Sequence, residues 1–138
     1  MVSTNSLDSI YFIKLPEGSV LSPKTMKINP EIPLPVQKKN PEDPVEQDAA
    51  KLSEEQILSG ILTVLAYDKK NENSEYYRKL ITDVRPGIKK ELAEAAILKA
   101  RNEDWDLAEE IWLAVNGIDP QDKAIILNMA IFFDQKAD

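Results

Sequence analysis

Two hydrophobic patterns divide the chain near residue 50. From Leu52 onward apolar residues return every three or four positions, which places them on one face of a helix. Ser53-Glu54-Glu55-Gln56 is a capping-box pattern, with Ser53 as N-cap and Gln56 reaching back to it. Ile57, Ile61, Val64 and Leu65 follow at helical spacing and predict a helix over 54–67. A polar turn at 69–73 leads to a second helix over 74–83, with Tyr76, Tyr77, Leu80 and Ile81 inward, and Pro86-Gly87 breaks it. A third helix over 88–102 carries Leu92, Ala95, Ala96 and Lys99 on one face. Asp104 is placed to cap a fourth helix that ends near Asn116, with Gly117 in the left-handed closing position. Asp119-Pro120 then reads as N-cap and first residue of a fifth helix over 121–136.

The first fifty residues follow another rule. Seven of the nine prolines lie there, and proline at that density forbids a long helix because each one lacks an amide donor. Ser9-Ile10-Tyr11-Phe12-Ile13-Lys14-Leu15 reads as a strand ended by the turn Pro16-Glu17-Gly18. Val20-Leu21 and Met26-Lys27-Ile28 are the segments expected to pair back against it. Ile32-Pro33-Leu34-Pro35-Val36 reads as polyproline II, and residues 37–47 as a charged linker. The arm is too rich in Ile, Leu and Val for a disordered tail, so part of it packs on its own domain or on a second chain. The expected organisation is an extended arm with a short β-hairpin and linker over 1–50 and a helical domain over 51–138.

Composition narrows the chemistry. The formal charge of −7 provides no basic face for phosphate neutralisation, so no nucleic-acid partner is expected. There is no Cys and no His, which removes thiol chemistry, the commonest general base and the commonest metal ligand. No glycine-rich phosphate loop or metal-ligand spacing is present, so neither a cofactor nor a metal is expected. Carboxylate pairs such as Glu54-Glu55 and Glu109-Glu110 read as solvated helix faces, and the chain reads as a non-enzyme. No run of 18 apolar residues exists, so no membrane span is expected. The N-terminus lacks a basic start and an apolar core, which reads as no signal peptide and leans towards the cytoplasm.

Pro86 and Pro120 stand 34 residues apart, each closing a helix–turn–helix run. With Ala96, Trp105, Ala108 and Trp112 between them, the segment 89–120 resembles a tetratricopeptide repeat. The resemblance puts Ala96 and Ala108 at the close-contact places of the two helices, and Trp105 and Trp112 in the aromatic slots beside them. Lys99 departs from the pattern where an aromatic is common, and the unit over 55–86 keeps the period but is degenerate inside. A third unit begins at Lys123, with Ala130 and Phe133 in the small and aromatic slots, and supplies only its first helix. The resemblance therefore implies a mainly α, solenoid-type stack of antiparallel hairpins, about two and a half repeats.

In that family the first helix of each unit lines a concave groove. The resemblance implies a partner-binding groove built from Lys90, Ala93, Ile97, Ala100, Arg101, Leu127, Asn128 and Ile131, with Gln56, Ser59 and Thr63 continuing it in the first unit. The polar clamp that some members use for a partner's C-terminal carboxylate is mostly absent here, so an apolar helix or strand is the expected ligand. Internal core filled by the chain's own arm is the other reading of the same positions. The run from Ala124 to Phe133 is apolar nearly all round, and Ile125, Met129, Phe132 and Phe133 are its candidate self-association residues. Trp105 and Trp112 are expected to be structural. The function these readings imply is a protein-binding scaffold that takes a partner segment or a second copy of itself. The alternative is an accessory domain of a larger enzyme or assembly component, with more chain following Asp138.

Overall fold

The computed structural model describes residues 7–21 and 26–137. Four short strands, β1 (Ile10–Ile13), β2 (Val20–Leu21), β3 (Met26–Lys27) and β4 (Leu34–Gln37), precede five helices. These are α1 (Glu54–Tyr67), α2 (Ser74–Val84), α3 (Ile88–Arg101), α4 (Trp105–Ile118) and α5 (Lys123–Ala137). The protein is mainly helical, as the periodicity predicts. Among the described residues the strands form two antiparallel pairs, β1 with β4 and β2 with β3.

The strand pairing corrects the expected hairpin. The partner of β1 is the segment read as polyproline II: Ile10 faces Gln37 and Ile13 faces Leu34. Pro35, opposite Phe12, brings no amide hydrogen to this ladder, which is tolerable because the sheet has only two strands and both are edges. Burial decides the outcome. Leu34 and Val36 have no exposed surface, and with Leu15 and Ile28 they share one core with α1 and α2. The arm therefore packs on its own helices.

Two tyrosine hydroxyls of α2 fasten it, and a third, Tyr11, ties β1 to the segment before α1. Tyr77 donates to the Pro33 carbonyl at 2.6 Å. Tyr76 accepts from the Asn29 amide at 3.0 Å. Tyr11 donates to the Glu46 carbonyl and accepts from the Glu46 amide, both at 3.2 Å. These contacts satisfy backbone groups of a segment whose prolines limit its own ladder.

Helix α1 starts at the expected capping box, with Ser53 Oγ accepting from the Gln56 amide and Gln56 Oε1 accepting from the Ser53 amide. It is buried on two sides. Strand β4 crosses it at Gly60, where an added Cβ would collide with the Pro35 carbonyl. Helix α4 crosses it near Leu65. Arg78 of α2 donates through Nε to the Gly117 carbonyl at 2.7 Å, satisfying a last-turn carbonyl of α4.

A second core joins α3, α4 and α5 through Ala96, Ala108, Trp112, Val115, Ile125 and Phe132. Ala96 and Ala108 are fully buried, so α3 and α4 approach through small residues while Trp112 fills the volume beside them. α4 is the hub, packed against α1, α3 and α5. A regular stack of hairpins would instead seat the first helices of successive units on one another. The glycines permit this arrangement: Gly117 lets α4 reach α1, and Gly60 lets the arm lie on another side of α1.

Three helix ends differ from expectation. Gly117 lies inside α4, which continues to Ile118. Asp104 makes no side-chain cap bond to α4. The cap of α5 is Asp122, whose Oδ1 accepts from the amides of Ala124 at 2.9 Å and Ile125 at 3.3 Å, so Pro120 precedes the helix. The left-handed closing position belongs to Glu103, at φ 62°, after α3. There the Glu103 amide donates to Ala100 and the Asp104 amide to Lys99, which closes α3 as a Schellman turn.

A candidate docking cleft between the third and fifth helices

α3 and α5 both rest on α4, and their facing sides leave a cleft of about 570 Å³. Ile97, Ala100 and Arg101 form the α3 wall; Asn128, Ile131 and Gln135 form the α5 wall. The floor is aromatic. Trp105 and Phe132 lie with ring centroids 6.1 Å apart, and Trp112 closes the bottom. Phe132 also meets Phe133 edge-on at 5.2 Å. The walls also carry polar groups, Arg101 with the neighbouring Glu103 on one side and Asn128 and Gln135 on the other.

Five of the sequence-predicted groove residues meet here: Ile97, Ala100, Arg101, Asn128 and Ile131. Ala93 instead packs against the second core, and Lys90 and Leu127 are exposed outside the cleft. The period placed α3 and α5 on a common face but could not register their relative rotation. Glu103, Trp105, Trp112, Phe132 and Gln135 are the residues sequence reasoning missed as cleft lining. For the two tryptophans the signal was available in their position at the start and middle of α4, the helix that underlies both walls.

The predicted self-association set needs correction. Ile125 and Phe132 are 5% and 2% exposed, and Met129 packs against the same cluster. They hold α5 to its own protomer. Phe133 remains 41% exposed, and the other large apolar residues at the α5 surface are Ile126, Leu127 and Ile131. The helix is held at both ends by ion pairs. Lys89 contacts Asp119 at 3.0 Å and Asp122 at 2.9 Å, and Lys136 contacts Glu109. The lysine beside it draws the Asp122 carboxyl below the usual range, helped by the helix amides it accepts from.

On α1 the expected groove is occupied by the arm. Gln37 of β4 accepts from Gln56 Nε2 on its carbonyl at 3.3 Å and from Thr63 Oγ1 on its side chain at 3.1 Å. Beyond it a shallower hollow of about 350 Å³ is bordered by Ser59, Tyr67, Leu92, Glu110 and Ala114. Burial raises the Glu110 carboxyl above its ordinary value, the nearby Asp106 charge adds to this, and a hydrogen bond from Tyr67 opposes it. No cluster of three or more carboxylates suited to a metal ion occurs among the described residues. No helix among them is long and apolar enough to cross a membrane.

Comparison with protein-family models, curated proteins and solved structures finds no match for this chain, so its function is argued from this geometry.

Proposed function

We propose that the protein is a non-catalytic interaction module that holds an extended, apolar segment of a partner polypeptide in the α3–α5 cleft. The observation that carries this is the cleft's lining: an aromatic floor between walls that mix aliphatic and polar side chains. Its volume falls within the range of about 300–1,000 Å³ in which concave sites bury a ligand of several residues' side chains. The α5 wall is suited to peptide backbone. Asn128 and Gln135 lie two helical turns apart, about 10 Å along the axis, which matches three residues of an extended chain. Each amide offers both donor and acceptor, the complement of a peptide group. Apolar side chains of the segment would fill the floor over Trp105 and Phe132, in the manner of groove-binding recognition.

The likeness to tetratricopeptide hairpins supports this reading for the α3–α4 pair, where Ala96 and Ala108 make the close approach. It supports less for α1, whose main helical neighbour is α4. The test is selection of a displayed random-peptide library on the full chain. The expected result is enrichment of peptides with spaced apolar residues, lost when Ile97→Glu places a charge in the wall. Failure to enrich, or enrichment indifferent to Ile97→Glu, would overturn the assignment.

A further inference from the structure

The outer face of α5 carries a second pattern, separate from the cleft. Lys123, Leu127, Ala130 and Asp134 are all exposed and follow one another at intervals of four, three and four residues. That is the spacing of a coiled-coil seam, with Leu127 and Asp134 in one heptad place and Lys123 and Ala130 in the other. The sequence along this seam is complementary to its own reverse. Turned about a two-fold axis between Asn128 and Met129, α5 brings Lys123 opposite Asp134 of a second copy and Leu127 opposite Ala130. Each contact then occurs twice, as an isologous interface requires. Large faces small in the middle layers, and opposite charges meet in the outer ones. Ile126 falls beside Phe133 of the second copy along one flank, and Ala124 beside Ile131 along the other. Ile126, Leu127 and Phe133, all exposed on α5, are thereby covered, and Ile131, which also lines the cleft, lies at the edge of the seam. Neither Lys123 nor Asp134 has an ion pair within the protomer among the described residues, so both charges are available. The helix is seated on its own protomer by Ile125, Met129 and Phe132, with Lys89 and Lys136 pairing near its two ends.

We infer that the occupant of this face is a second copy of the chain, joined through an antiparallel α5–α5 pair in the register that sets Lys123 against Asp134. The inference goes beyond the cleft reading and does not depend on it: none of the four seam residues lines the cleft, and Ile131 is the one flanking residue the two surfaces share. A single helix pair is a small interface, so association in the range of about 10–100 µM is expected.

Sedimentation equilibrium of the full chain over increasing concentration, up to about 1 mM, tests it. The expected result is a rise towards twice the monomer mass. Lys123→Asp or Asp134→Lys alone sets like charges opposite one another twice, and should weaken the dimer about tenfold. The double variant restores both pairs with reversed sign and should recover the original constant. Both sites are exposed, so thermal unfolding by circular dichroism should show each variant folded. A monomer at every concentration, a dimer indifferent to the single changes, or a double variant as weak as the singles would each overturn the inference. The first result would leave the face to a different polypeptide, and the last would place the second copy in another register. The Ile97→Glu change should leave this dimer intact, so failure here and failure of the cleft reading can be told apart.

Discussion

The Leu65 carbonyl lies less than 3.0 Å from the point a Cβ on Gly117 would occupy. This contact decides how the helices are arranged, because it lets the backbone of α4 rest directly on α1. A methyl group there meets backbone, which has no side-chain freedom to yield. Alanine inside a helix ordinarily gains about 1 kcal/mol over glycine. Here Gly117→Ala should instead lose about 2 kcal/mol, from overpacking. Gly60→Ala should do the same against the Pro35 carbonyl. Gly87→Ala is the control, since a Cβ there meets only the flexible end of Glu91 at 3.3 Å. Chemical denaturation of the three variants gives the comparison.

Trp112 is 2% exposed and fills the second core between the small residues of α3 and α4. Trp112→Ala should cost about 3–5 kcal/mol, within the range for buried aromatics. Trp105 is only partly buried, so Trp105→Ala should cost clearly less while disturbing the cleft floor. Equal losses, measured by urea unfolding, would place the two rings in equivalent surroundings and contradict the described packing.

Glu103 holds a left-handed backbone conformation, at φ 62°, that side chains with a Cβ adopt at a cost of roughly 1 kcal/mol. Its side chain is exposed and enters no ion pair among the described residues. Glu103→Gly should therefore raise stability by about 1 kcal/mol, through the Schellman turn that closes α3. A loss on calorimetry would show that the turn is not formed as described.

The Glu110 carboxyl is raised above its ordinary value of 4.5, chiefly by burial. Between the ordinary and the raised value the folded protein binds more protons than the unfolded one. The contribution of this group is therefore complete below pH 4.5 and is lost as pH climbs through the raised value. Glu110→Gln removes the effect. Its stability relative to the unsubstituted protein should improve as pH rises from 4.5 through the raised value. A difference that is flat with pH would mean the carboxyl is fully hydrated.

The helices were legible because their signals are local. The Ser53–Gln56 capping box, the breaks at Pro86-Gly87 and the apolar repeats each act within a few residues. What was not legible depended on contacts across the chain. The pairing of Ile10–Ile13 with Leu34–Gln37 cannot be inferred from proline content, since it is driven by burial against α1. Gly117 carries the same residue type whether it ends a helix or admits a neighbour, and only the approach of Leu65 distinguishes the two. The cleft was half visible for the same reason. The tetratricopeptide resemblance implied Ile97, Ala100 and Ile131 as groove residues, whereas the aromatic floor appears only once α4 lies beneath both helices.

The most direct test of the docking account uses Trp105, which lines the cleft, as its own reporter. A peptide enriched by selection is titrated into the protein while tryptophan emission is recorded. The account predicts a saturable shift to shorter wavelength as the peptide excludes water from the floor, absent in Trp105→Phe and absent in Ile97→Glu. Binding seen by anisotropy of a labelled peptide, with Trp105 emission unmoved, would place the partner elsewhere and contradict it.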